Sequence, residues 1–582
     1  MKVDYKYIRK HCAKVAKQLF EDFDRRKATW AEVCREFYPL GVAGLTKNIE
    51  NIADECYTDD EHRLLTMRPP ECVRKGAAGF HSNLTSPLRQ WFRFRLPSFM
   101  TENGETSHEQ RMALDRLTKA TMWVFTRAAV YASLYKLYEH LLTVGFGCMI
   151  INSDTERIIR AQTLRLGTYA LGIGPDHTVC RVVRRFSWNA EQIITEFSDR
   201  GVPEAIREAA KRGNLTQRWT VYNLIEPNAV GDERAYDPVA KKVGLDDTMI
   251  YRSIYWLANG KDGEPQDGVL RITGFSIQPI VAPRFDYEIG DTYGRGPGLD
   301  GLDLARGTQT FRGDCLRVSG NRAQPAVYAA ADFAEEGLKL SRGAVNYVRF
   351  GEQRGAMVAP VFPNPPDAES TRNDFAESVG ELRDLFFNSA FATIDALKNQ
   401  KGVKTATEID ALVRENMERL GAVITNLDKE LLDPLVGIVA NYTIRSGIAP
   451  LSEQDMELFG GALNIEYVSQ IHLAQKQSLI GSVRLLGEFI GGINEIKPDA
   501  PDYLSTKGAV TEFADMIGAP EVCLAQEKEV AAAQAARAAA QQAQMEAAQQ
   551  AAQAKALKDV GSIPVTDDTA AGQLLKATKM RG

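Results

Sequence analysis

The most informative segment of the chain is Gly79-Phe-His-Ser-Asn-Leu-Thr-Ser-Pro-Leu-Arg-Gln-Trp-Phe-Arg-Phe-Arg-Leu-Pro97. Pro87 ends any helix that precedes it, and large and basic side chains then alternate from Trp91 onward. Successive side chains of a β-strand point to opposite faces of a sheet. The apolar residues therefore share one face and the arginines the other, which sets Phe92, Phe94 and Leu96 against Arg93 and Arg95. This pattern predicts a short amphipathic strand, at a sheet edge or in a ribbon.

The composition is that of an ordinary soluble protein, with 582 residues of which 44% are hydrophobic and 25% charged. The chain is too long for a single hydrophobic core, so we expect several packed modules. Its 70 Lys and Arg and 76 Asp and Glu leave a net charge of -6. A protein that coats nucleic acid usually carries a basic surplus, which argues against a simple DNA-coating protein. The charge does not argue against a channel through which DNA slides without sticking.

The cysteine pattern predicts free thiols in a reducing compartment. The eight cysteines lie at positions 12, 34, 56, 72, 148, 180, 315 and 523, without a Cys-x-x-Cys pair, and only seven histidines could share a metal. We therefore expect no disulfide framework, no metal site and no cofactor. The N-terminus lacks the apolar core of a secretory signal. The longest apolar run, Leu141 to Ile151, is far shorter than the roughly 20 residues that cross a bilayer.

Residues 1–290 predict an α+β module. Apolar positions at helical spacing indicate helices over Tyr7 to Tyr38 and Asp115 to Val144, and Pro39 ends the first of them. Glycines 145 and 147 then open a strand over Cys148 to Asn152. One helix is expected between Ala190 and Lys211. The other segments read as short strands, and they are Val179 to Phe186, Trp219 to Leu224, Ile250 to Leu257 and Ile277 to Ala282.

The next part of the chain alternates loops and helices. A glycine-rich loop, Asp291 to Leu299, leads into a helix over Leu302 to Val318. A strand at Val345 to Phe350 and a proline-rich segment, Ala359 to Pro366, precede a second helix over Phe375 to Phe387. The polar segment Asp395 to Lys404 follows. A long helix then begins at a cap on Thr405 or Thr407, has a kink marked by Gly421 and Pro434, and ends at Gly447.

Residues 525–558 consist mostly of Ala, Gln, Glu and Lys, without Gly or Pro, and predict a helix of about 50 Å at roughly 1.5 Å per residue. The helix has almost no large apolar stripe, so it cannot hold a core of its own. Two interpretations stay open. It is a solvated tail, or its alanine surface packs against copies of itself in a ring or bundle.

Four segments, in this order, resemble the head-to-tail connector (portal) proteins of short-tailed, T7-like bacteriophages. The first two are residues 83–97, with Trp91, and the helix-to-strand segment Tyr131 to Ile151. The third is Asp291 to Leu302, which is similar to the family's Y-G-R-G-P-G turn. The fourth is similar to the family's T-A-T-E-V helix and comprises Thr405 to Ile409, Arg414, Leu420-Gly421, Leu431 to Pro434 and Arg445 to Gly447.

The resemblance implies a mainly helical α+β fold that assembles as a ring. By position it implies a wing (1–290), a first stem helix (291–323), a clip (324–366), a second stem helix (367–390), a tunnel loop (391–404), a long kinked helix (405–450), a crown (451–524), an Ala/Gln-rich barrel helix (525–558) and a tail (559–582). It further implies a homo-oligomer, usually a dodecamer, at one capsid vertex of the virion, assembled in the host cytoplasm. Double-stranded DNA would pass through it without sequence-specific binding.

The resemblance also assigns roles to particular residues. The tunnel loop would hold the DNA-facing lysines 398, 401 and 404, which with Asp395 give the segment a local charge of +2. The alternative is an exposed loop at a helix end whose lysines are only solvated and do not contact DNA. Trp91, Arg93 and Arg95 would contribute to the subunit interface, although a strand paired inside its own subunit explains them equally well. The clip would dock the terminase motor and then tail adaptor proteins, and capsid and scaffolding proteins would be further partners, with no membrane involved.

Enzymatic functions are not expected. The segment Tyr293-Gly-Arg-Gly-Pro-Gly298 lacks the Lys-Ser/Thr of a P-loop, and Pro297 removes an amide donor that a phosphate would need. The sequence has neither Gly-x-Ser-x-Gly nor His-Glu-x-x-His. The alternative to a connector is a scaffolding or adaptor protein that assembles through its Ala/Gln-rich helix and does not handle DNA.

Overall fold

The computed structural model describes residues 3–47, 64–96, 108–197, 201–229, 237, 239–261, 264–323, 327–329, 358–360, 368–392, 420–449, 464–469, 471–472, 490, 510 and 527–561. Several predicted features lie outside these residues. They are the strand Val345 to Phe350, most of the proline-rich segment, the lysines of the predicted tunnel loop and the start of the long helix at Thr405.

Five helices form the first part of the molecule: α1 (Tyr5–Phe37), α2 (Pro39–Thr46), α3 (Arg68–Asn83), α4 (His108–Arg127) and α5 (Val130–Val144). The Asp4 carboxylate caps α1 by accepting a hydrogen bond from the Tyr7 N–H at 3.1 Å. Pro39 separates α1 from α2, as predicted. The single helix predicted over Asp115 to Val144 is wrong, because Ala129 adopts a left-handed conformation (φ 53°) that divides α4 from α5.

Two antiparallel sheets follow. The larger has the strand order β4-β5-β6-β7-β8, in which β4 is Tyr169–Ile173, β5 Val179–Asn189, β6 Arg218–Pro227, β7 Tyr251–Leu257 and β8 Val269–Phe275. The smaller has the order β3-β2-β9, in which β2 is Met149–Asp154, β3 Ile158–Thr163 and β9 Ile280–Val281. The strands predicted at 148–152, 179–186, 219–224, 250–257 and 277–282 are confirmed with shifted ends. Strands β3, β4 and β8 were not predicted.

The single helix predicted between Ala190 and Lys211 is also wrong. It is two helices, α6 (Ala190–Phe197) and α7 (Glu204–Lys211). Gly201 has a φ of 84°, which only glycine adopts without strain, and Pro203 precedes α7. The short helix α8 (Ala240–Val243) completes this part of the molecule.

The remaining described elements begin with α9 (Pro297–Asp300) and α10 (Leu302–Ala323). Strands β10 (Val327–Ala329) and β11 (Val358–Pro360) pair antiparallel, and α11 (Ala368–Leu385) follows. Residues 420–427 are α-helical, Asp428–Leu432 form a π-helical segment, and α12 (Asp433–Arg445) continues to the left-handed Gly447. The last elements are β12 (Asn464–Tyr467) and α13 (Glu527–Gly561). The irregularity expected at Pro434 is therefore confirmed, whereas Gly421 lies in regular helix.

Three groups of buried side chains hold these elements together. The first joins α3, α4 and α5 to β1 (Phe92–Arg95), the end of α11 and the helix that is described from residue 420 onward. The second packs α1 on the five-stranded sheet and on β2. The third places α6 and α7 against Val221, Tyr255 and Leu257 of the same sheet. The fold is thus α+β and mainly helical, as predicted.

Cysteines 12, 34, 72 and 148 are buried and cysteines 180 and 315 half-buried, and all six are free thiols. Burial raises the pKa of the Cys34 thiol to about 12. Across the described helices, none combines the length and the apolar character that crossing a bilayer requires.

Candidate functional site

The glycine-rich turn at 291–299 packs tightly against the end of α5. A Cβ atom on Gly294, Gly296 or Gly298 would come closer than 3.0 Å to a backbone carbonyl oxygen of that helix end. The carbonyls concerned belong to Gly145, Leu141 and Thr143, respectively. Backbone therefore fills the space beside each glycine, so these glycines serve close packing between the turn and α5.

Tyr293 anchors the same turn in the second core group. Its hydroxyl accepts a hydrogen bond from the Leu171 N–H at 3.1 Å, and its ring lies 4.8 Å from that of Phe146 and 5.0 Å from that of Trp30. Burial raises the pKa of the hydroxyl well above its usual value. The turn thus fixes the start of α9 and α10 against the five-stranded sheet.

Helices α10 and α11 form an antiparallel pair. The Thr308 and Ser378 hydroxyls are 2.9 Å apart and buried, and the Cys315 Sγ donates to the Thr371 carbonyl at 3.4 Å. Thr308 contacts the later residue of α11, Ser378, and Cys315 contacts the earlier one, Thr371. The two helices therefore run antiparallel. The sequence predicts helices at 302–318 and 375–387, and the pair confirms these two helices with shifted ends, whereas their role as a stem stays a prediction.

The residues that follow α11 and the first described residue of the next helix, Leu420, belong to the same core group. Phe386 is 0% exposed and Phe391 4% exposed, while Leu420 is 0% exposed. A Cβ on Gly79 of α3 would collide with the Phe391 ring, so Gly79 makes room for that side chain. The Asn388 side-chain amide also donates to the Cys72 carbonyl at 3.2 Å. Both ends of the 393–419 segment are therefore fixed on one hydrophobic cluster.

The predicted DNA-facing residues Lys398, Lys401 and Lys404 lie between these two fixed ends, outside the described residues. Their role stays a prediction. The described residues fix where the segment starts and where it ends.

Arg284 connects the end of β9 to the π-helical segment. Its side chain is 1% exposed, and its Nε donates to Glu430 Oε2 at 3.1 Å. A further Nη2 contact joins it to Glu430 Oε1. The backbone N–H of Arg284 donates to Glu430 Oε2 at 2.9 Å. The guanidinium also donates to the carbonyls of Asp291 (2.6 Å) and His177 (3.0 Å) and lies 3.6 Å from the Tyr287 ring centroid.

Strand β1 pairs with β12 inside the same chain. Phe92 lies opposite Tyr467, and Arg93 lies opposite Glu466. Both arginine side chains contact Glu466 Oε2, Arg93 at 2.7 Å and Arg95 at 3.0 Å, so they share a face as predicted. Trp91 is 1% and Arg93 8% exposed. Of the two interpretations of this strand, pairing within the chain is the one observed, and a contribution to a subunit interface stays a prediction.

The sequence analysis missed Arg284, Glu430 and Glu466. A signal existed only for Glu430, which is one of three acidic residues between Asp428 and Asp433, directly before a proline. No local pattern marks Arg284 or Glu466, because their partners are 146 and 373 residues away along the chain.

Comparison with known proteins identifies the family. The model of the bacteriophage head to tail connecting protein family matches residues 9–524. The portal protein of Salmonella phage epsilon15 is 26% identical over 504 residues, which are 86% of each chain. A probable portal protein of Bordetella phage BPP-1 is 25% identical over 458 residues, which are 78% of this chain and 79% of that protein.

Among solved structures, the neck of an empty gene transfer agent (GTA) particle matches 78% of this chain and 90% of its own chain. The identity is 12% and the TM-score 0.32, and this likeness is too weak to support an assignment of fold or function. The family match, in contrast, spans most of the chain and includes the glycine-rich turn, the antiparallel pair α10 and α11, and the helix through Glu430. The chain belongs to the bacteriophage head-to-tail connecting protein family.

Proposed function

We propose that this chain is the subunit of a portal ring, usually a dodecamer, at one vertex of a phage capsid. Double-stranded DNA passes through the ring during packaging and ejection. The observation that carries the proposal is the family match over residues 9–524. Two relatives named as portal or probable portal proteins align with this chain over most of their own lengths. The family is not one of enzymes, so a separate motor supplies the energy for packaging.

The regions of the subunit follow from the bounds of the elements. We propose the wing at 1–290, the stem helices at 291–323 and 367–390, the clip at 324–366 and the crown at 451–524. The antiparallel pair α10 and α11 supports the two stem assignments. The short pair β10 and β11 supports a clip between them, because its strands border residues 330–357 on both sides. The long kinked helix at 405–450 is supported by the π-helical segment before α12.

The 391–404 loop is proposed to face the DNA through Lys398, Lys401 and Lys404. Lysine ammonium groups on flexible stems contact phosphates without reading sequence, which suits a duplex that must move. The fixed residues on either side, Phe391 and Leu420, support a loop whose base is held while its tip contacts the DNA. Tight phosphate binding would arrest translocation, so few lysines suffice.

The partners proposed for the ring are the terminase motor at the clip, tail adaptor proteins at the same surface after packaging, and the capsid and scaffolding proteins around the wing. A lineage of short-tailed, T7-like phages is proposed from the sequence motifs. Arg95, whose side chain is 24% exposed, is the most accessible of the three proposed interface residues.

Imaging of the purified chain by negative stain tests the assembly. A closed annulus with an axial hole is expected, and monomers or elongated dimers would contradict the ring.

Replacing Lys398, Lys401 and Lys404 together by Ala tests the loop. Rings should still form, and particles should lose DNA retention or ejection. The matched control replaces Lys14, Lys211 and Lys261, which lie at the surface on other elements. This control makes the same charge change and should leave the DNA content unchanged. Normal DNA content in the loop variant would refute the role of these lysines.

The scaffolding alternative depended on the Ala/Gln-rich helix. That helix, α13, begins at Glu527, beyond the last residue of the family match at 524. Since the match covers residues 9–524 and does not include this helix, we do not retain the alternative. Instead we propose that α13 packs against its copies above the crown. Removing residues 527–561 should therefore leave a ring with an axial hole.

A further inference from the structure

A cavity of about 300 Å³ opens at the surface where the junction of α1 and α2 meets α3 and α5. Its lining is mainly aromatic and aliphatic, with Tyr38, Leu40 and Tyr135 among the contributors. Phe37 and Val73, which also line it, are each 1% exposed, whereas Leu40 is 37% exposed. This cavity, the α3/α5 pocket, therefore has an apolar floor and is open to solvent. It can take up an apolar side chain from outside the subunit.

Three cations surround the α3/α5 pocket, and a carboxylate of the pocket matches one of them. The Lys136 Nζ lies 2.7 Å from Glu139 Oε2. Arg74 lines the pocket, and Arg165 donates to the carbonyl of the pocket residue Leu40 at 3.3 Å. Within the described part of the chain, neither arginine forms an ion pair. Three positive charges and one negative charge leave the pocket with an excess of +2, in a chain whose net charge is -6.

The loop between β9 and α9 carries the opposite charge. This acidic loop, residues 286–291, contains Asp286, Glu288 and Asp291, and all three residues are exposed. None of the three forms an ion pair with another described residue. Ile289 lies among them and is 82% exposed. A single exposed aliphatic residue is ordinary. One that is set among three unpaired carboxylates matches a partner surface that is both apolar and basic.

The acidic loop is held at its base, so Ile289 is presented in a fixed position. Asp286 and Arg295 form an antiparallel bridge, in which the Arg295 N–H donates to the Asp286 carbonyl at 2.7 Å. The Arg284 guanidinium donates to the Asp291 carbonyl at 2.6 Å. A loop that is already ordered loses little conformational entropy when it binds, which favours its use as a docking element.

The loop and the pocket lie at different positions on the subunit. Tyr135 of the pocket and Gly145 are ten residues apart on α5 and its C-cap. The Gly145 carbonyl accepts a hydrogen bond at 2.8 Å from the N–H of Phe285, the residue before the loop. At about 1.5 Å per residue, the loop starts about 15 Å further along the helix. Ile289 is exposed in this structure, so its own chain does not cover it.

Charge decides which exposed side chain suits the pocket. Among the described aliphatic residues, two are more than 80% exposed, Ile289 at 82% and Leu88 at 92%. Leu88 precedes Arg89, whose charge Arg74 and Arg165 would repel. Ile289 is flanked by carboxylates, which the same two arginines attract. A DNA phosphate would also be attracted, but it would leave the apolar floor of the pocket uncovered.

We propose that the acidic loop of one subunit docks on the α3/α5 pocket of a second copy, with Ile289 in the pocket and the loop carboxylates facing Arg74 and Arg165. The proposal rests on the proposed ring and names two surfaces that join its subunits. In a closed ring, each subunit offers two different surfaces, one to each neighbour. A loop and a separate pocket on the same chain supply these two surfaces.

The first test changes the apolar tip of the loop. Ile289→Asp places a charge on the residue that enters the pocket, and the matched control Leu88→Asp makes the same change at a similarly exposed residue. Both residues lie at the surface, so both variants should fold. The fraction of subunits in rings, measured by sedimentation velocity, should fall at least about tenfold in the Ile289 variant and stay unchanged in the control. Equal ring fractions in the two variants would overturn the proposal.

The second test exchanges the charges. Arg74→Glu should lower the ring fraction, and adding Glu288→Arg to the same chain should restore most of it, because each contact then regains opposite charges. Lys211→Glu, at an exposed residue of α7, is the control and should leave the rings unchanged. A combined variant that assembles no better than Arg74→Glu alone would count against the docking. Normal rings of the Arg74 variant that retain less DNA would assign this arginine to the duplex and overturn the proposal.

A covalent test separates this contact from the ring itself. Copies carrying Ile289→Cys are mixed with copies carrying Leu40→Cys in the presence of oxidised glutathione, and a disulfide-linked dimer is expected. Each variant alone, and Leu88→Cys mixed with Leu40→Cys, controls for the native thiols and should give no such dimer. Rings that form without the dimer would overturn the docking and leave the proposed ring in place. The dimer without rings would overturn the proposed ring and leave the docking in place.

Discussion

Two arginines of this protein are similarly buried, but their partners lie at different distances along the chain. Arg252 is 2% exposed and contacts Glu226 and Asp237, which are 26 and 15 residues away along the chain. Arg284 is 1% exposed and contacts Asp291, His177 and Glu430, which are 7, 107 and 146 residues away. The first joins strands β6 and β7 to each other and to the segment before α8. The second joins segments that are independent in sequence.

The difference teaches where a buried ion pair affects function as well as stability. A pair within one sheet stabilises that sheet, and its loss is felt there first. A pair between segments fixes how those segments sit relative to one another. Buried ion pairs often add little net stability over apolar residues, but removing one partner is costly. The following variants separate the two behaviours.

The largest expected effect is that of Arg252→Ala. Among the described residues, this change leaves Glu226, which is 2% exposed, with the longer contacts to His11 at 3.3 Å and Arg181 at 3.6 Å. We expect the free energy of unfolding to fall by about 3 kcal/mol, measured by urea denaturation followed by tryptophan fluorescence. Arg212→Ala, at an exposed pair with Glu208, is the control and should change nothing measurable. A negligible effect at Arg252 would contradict the contribution assigned to the sheet pair.

The next effect concerns the turn beside Arg284. Gly298→Ala would place a Cβ against the Thr143 backbone, and we expect the free energy of unfolding to fall by about 1–3 kcal/mol. Gly307→Ala is the matched control in α10, where no atom lies within 4 Å of the added Cβ. This control should stabilise the helix by about 0.5–1 kcal/mol. Thermal melts of the two variants should shift in opposite directions, and a shared direction would disprove the close packing.

A pH effect is expected from His140 of α5, the helix against whose end the turn packs. Burial lowers the pKa of His140 from 6.5 to about 3, and its Nδ1 has no hydrogen-bond partner among the described residues. Below pH 6.5 this histidine therefore binds a proton in the unfolded chain, whereas in the folded chain it stays neutral until the pH approaches about 3. From this group alone, stability should fall as the pH drops from about 6.5 toward 3, by about 1.4 kcal/mol per pH unit.

Replacing His140 by Phe should flatten that part of the stability curve, followed by urea denaturation between pH 7 and pH 5. A wild-type slope that persists in the variant would assign the effect to other groups. His81, whose pKa is also lowered by burial, is the comparison residue at an intermediate depth.

The smallest effect is expected for Glu466→Gln, which weakens the link between β1 and β12. Arg93 and Arg95 are 10% and 24% exposed in this pair, so screening reduces its contribution to about 1 kcal/mol. Asp300→Asn, at the more exposed pair with Arg295, is the control and should lose less. Limited proteolysis at β12 should speed up only in the Glu466 variant. Equal cleavage of the Glu466 and Asp300 variants would contradict a role of Glu466 in holding β12 on β1.

Local chemistry made much of the fold predictable. Pro39 ends α1, the alternating residues 91–96 form a strand, and the glycine-rich turn precedes a helix that begins at Leu302, all as the sequence indicates. The failures also have local causes. Ala129 adopts a positive φ, which an alanine in the sequence does not predict. Gly201 and Pro203 separate two helices, although the apolar spacing continues from one to the other.

The candidate site was predictable only in part. The resemblance placed the lysine loop between the second stem helix and the long helix, and the structure fixes both ends of that segment on one core. The contacts that hold those ends were not predictable, because Arg284 and Glu430 meet only in the folded chain. Likewise, nothing near Arg93 indicates that its partner lies 373 residues further on.

That long separation has a consequence for synthesis. Ribosomes add roughly 5–20 residues per second, so about 20–75 s pass between the appearance of Arg93 and that of Glu466. Throughout that interval the nascent β1 has an edge without its β12 partner, which is the kind of edge that can pair with another chain. A polypeptide that terminates early can never cover it. Pairing of β1 with β12 therefore requires a product that extends to Tyr467, about four fifths of the 582 residues, and every shorter product leaves this edge unpaired.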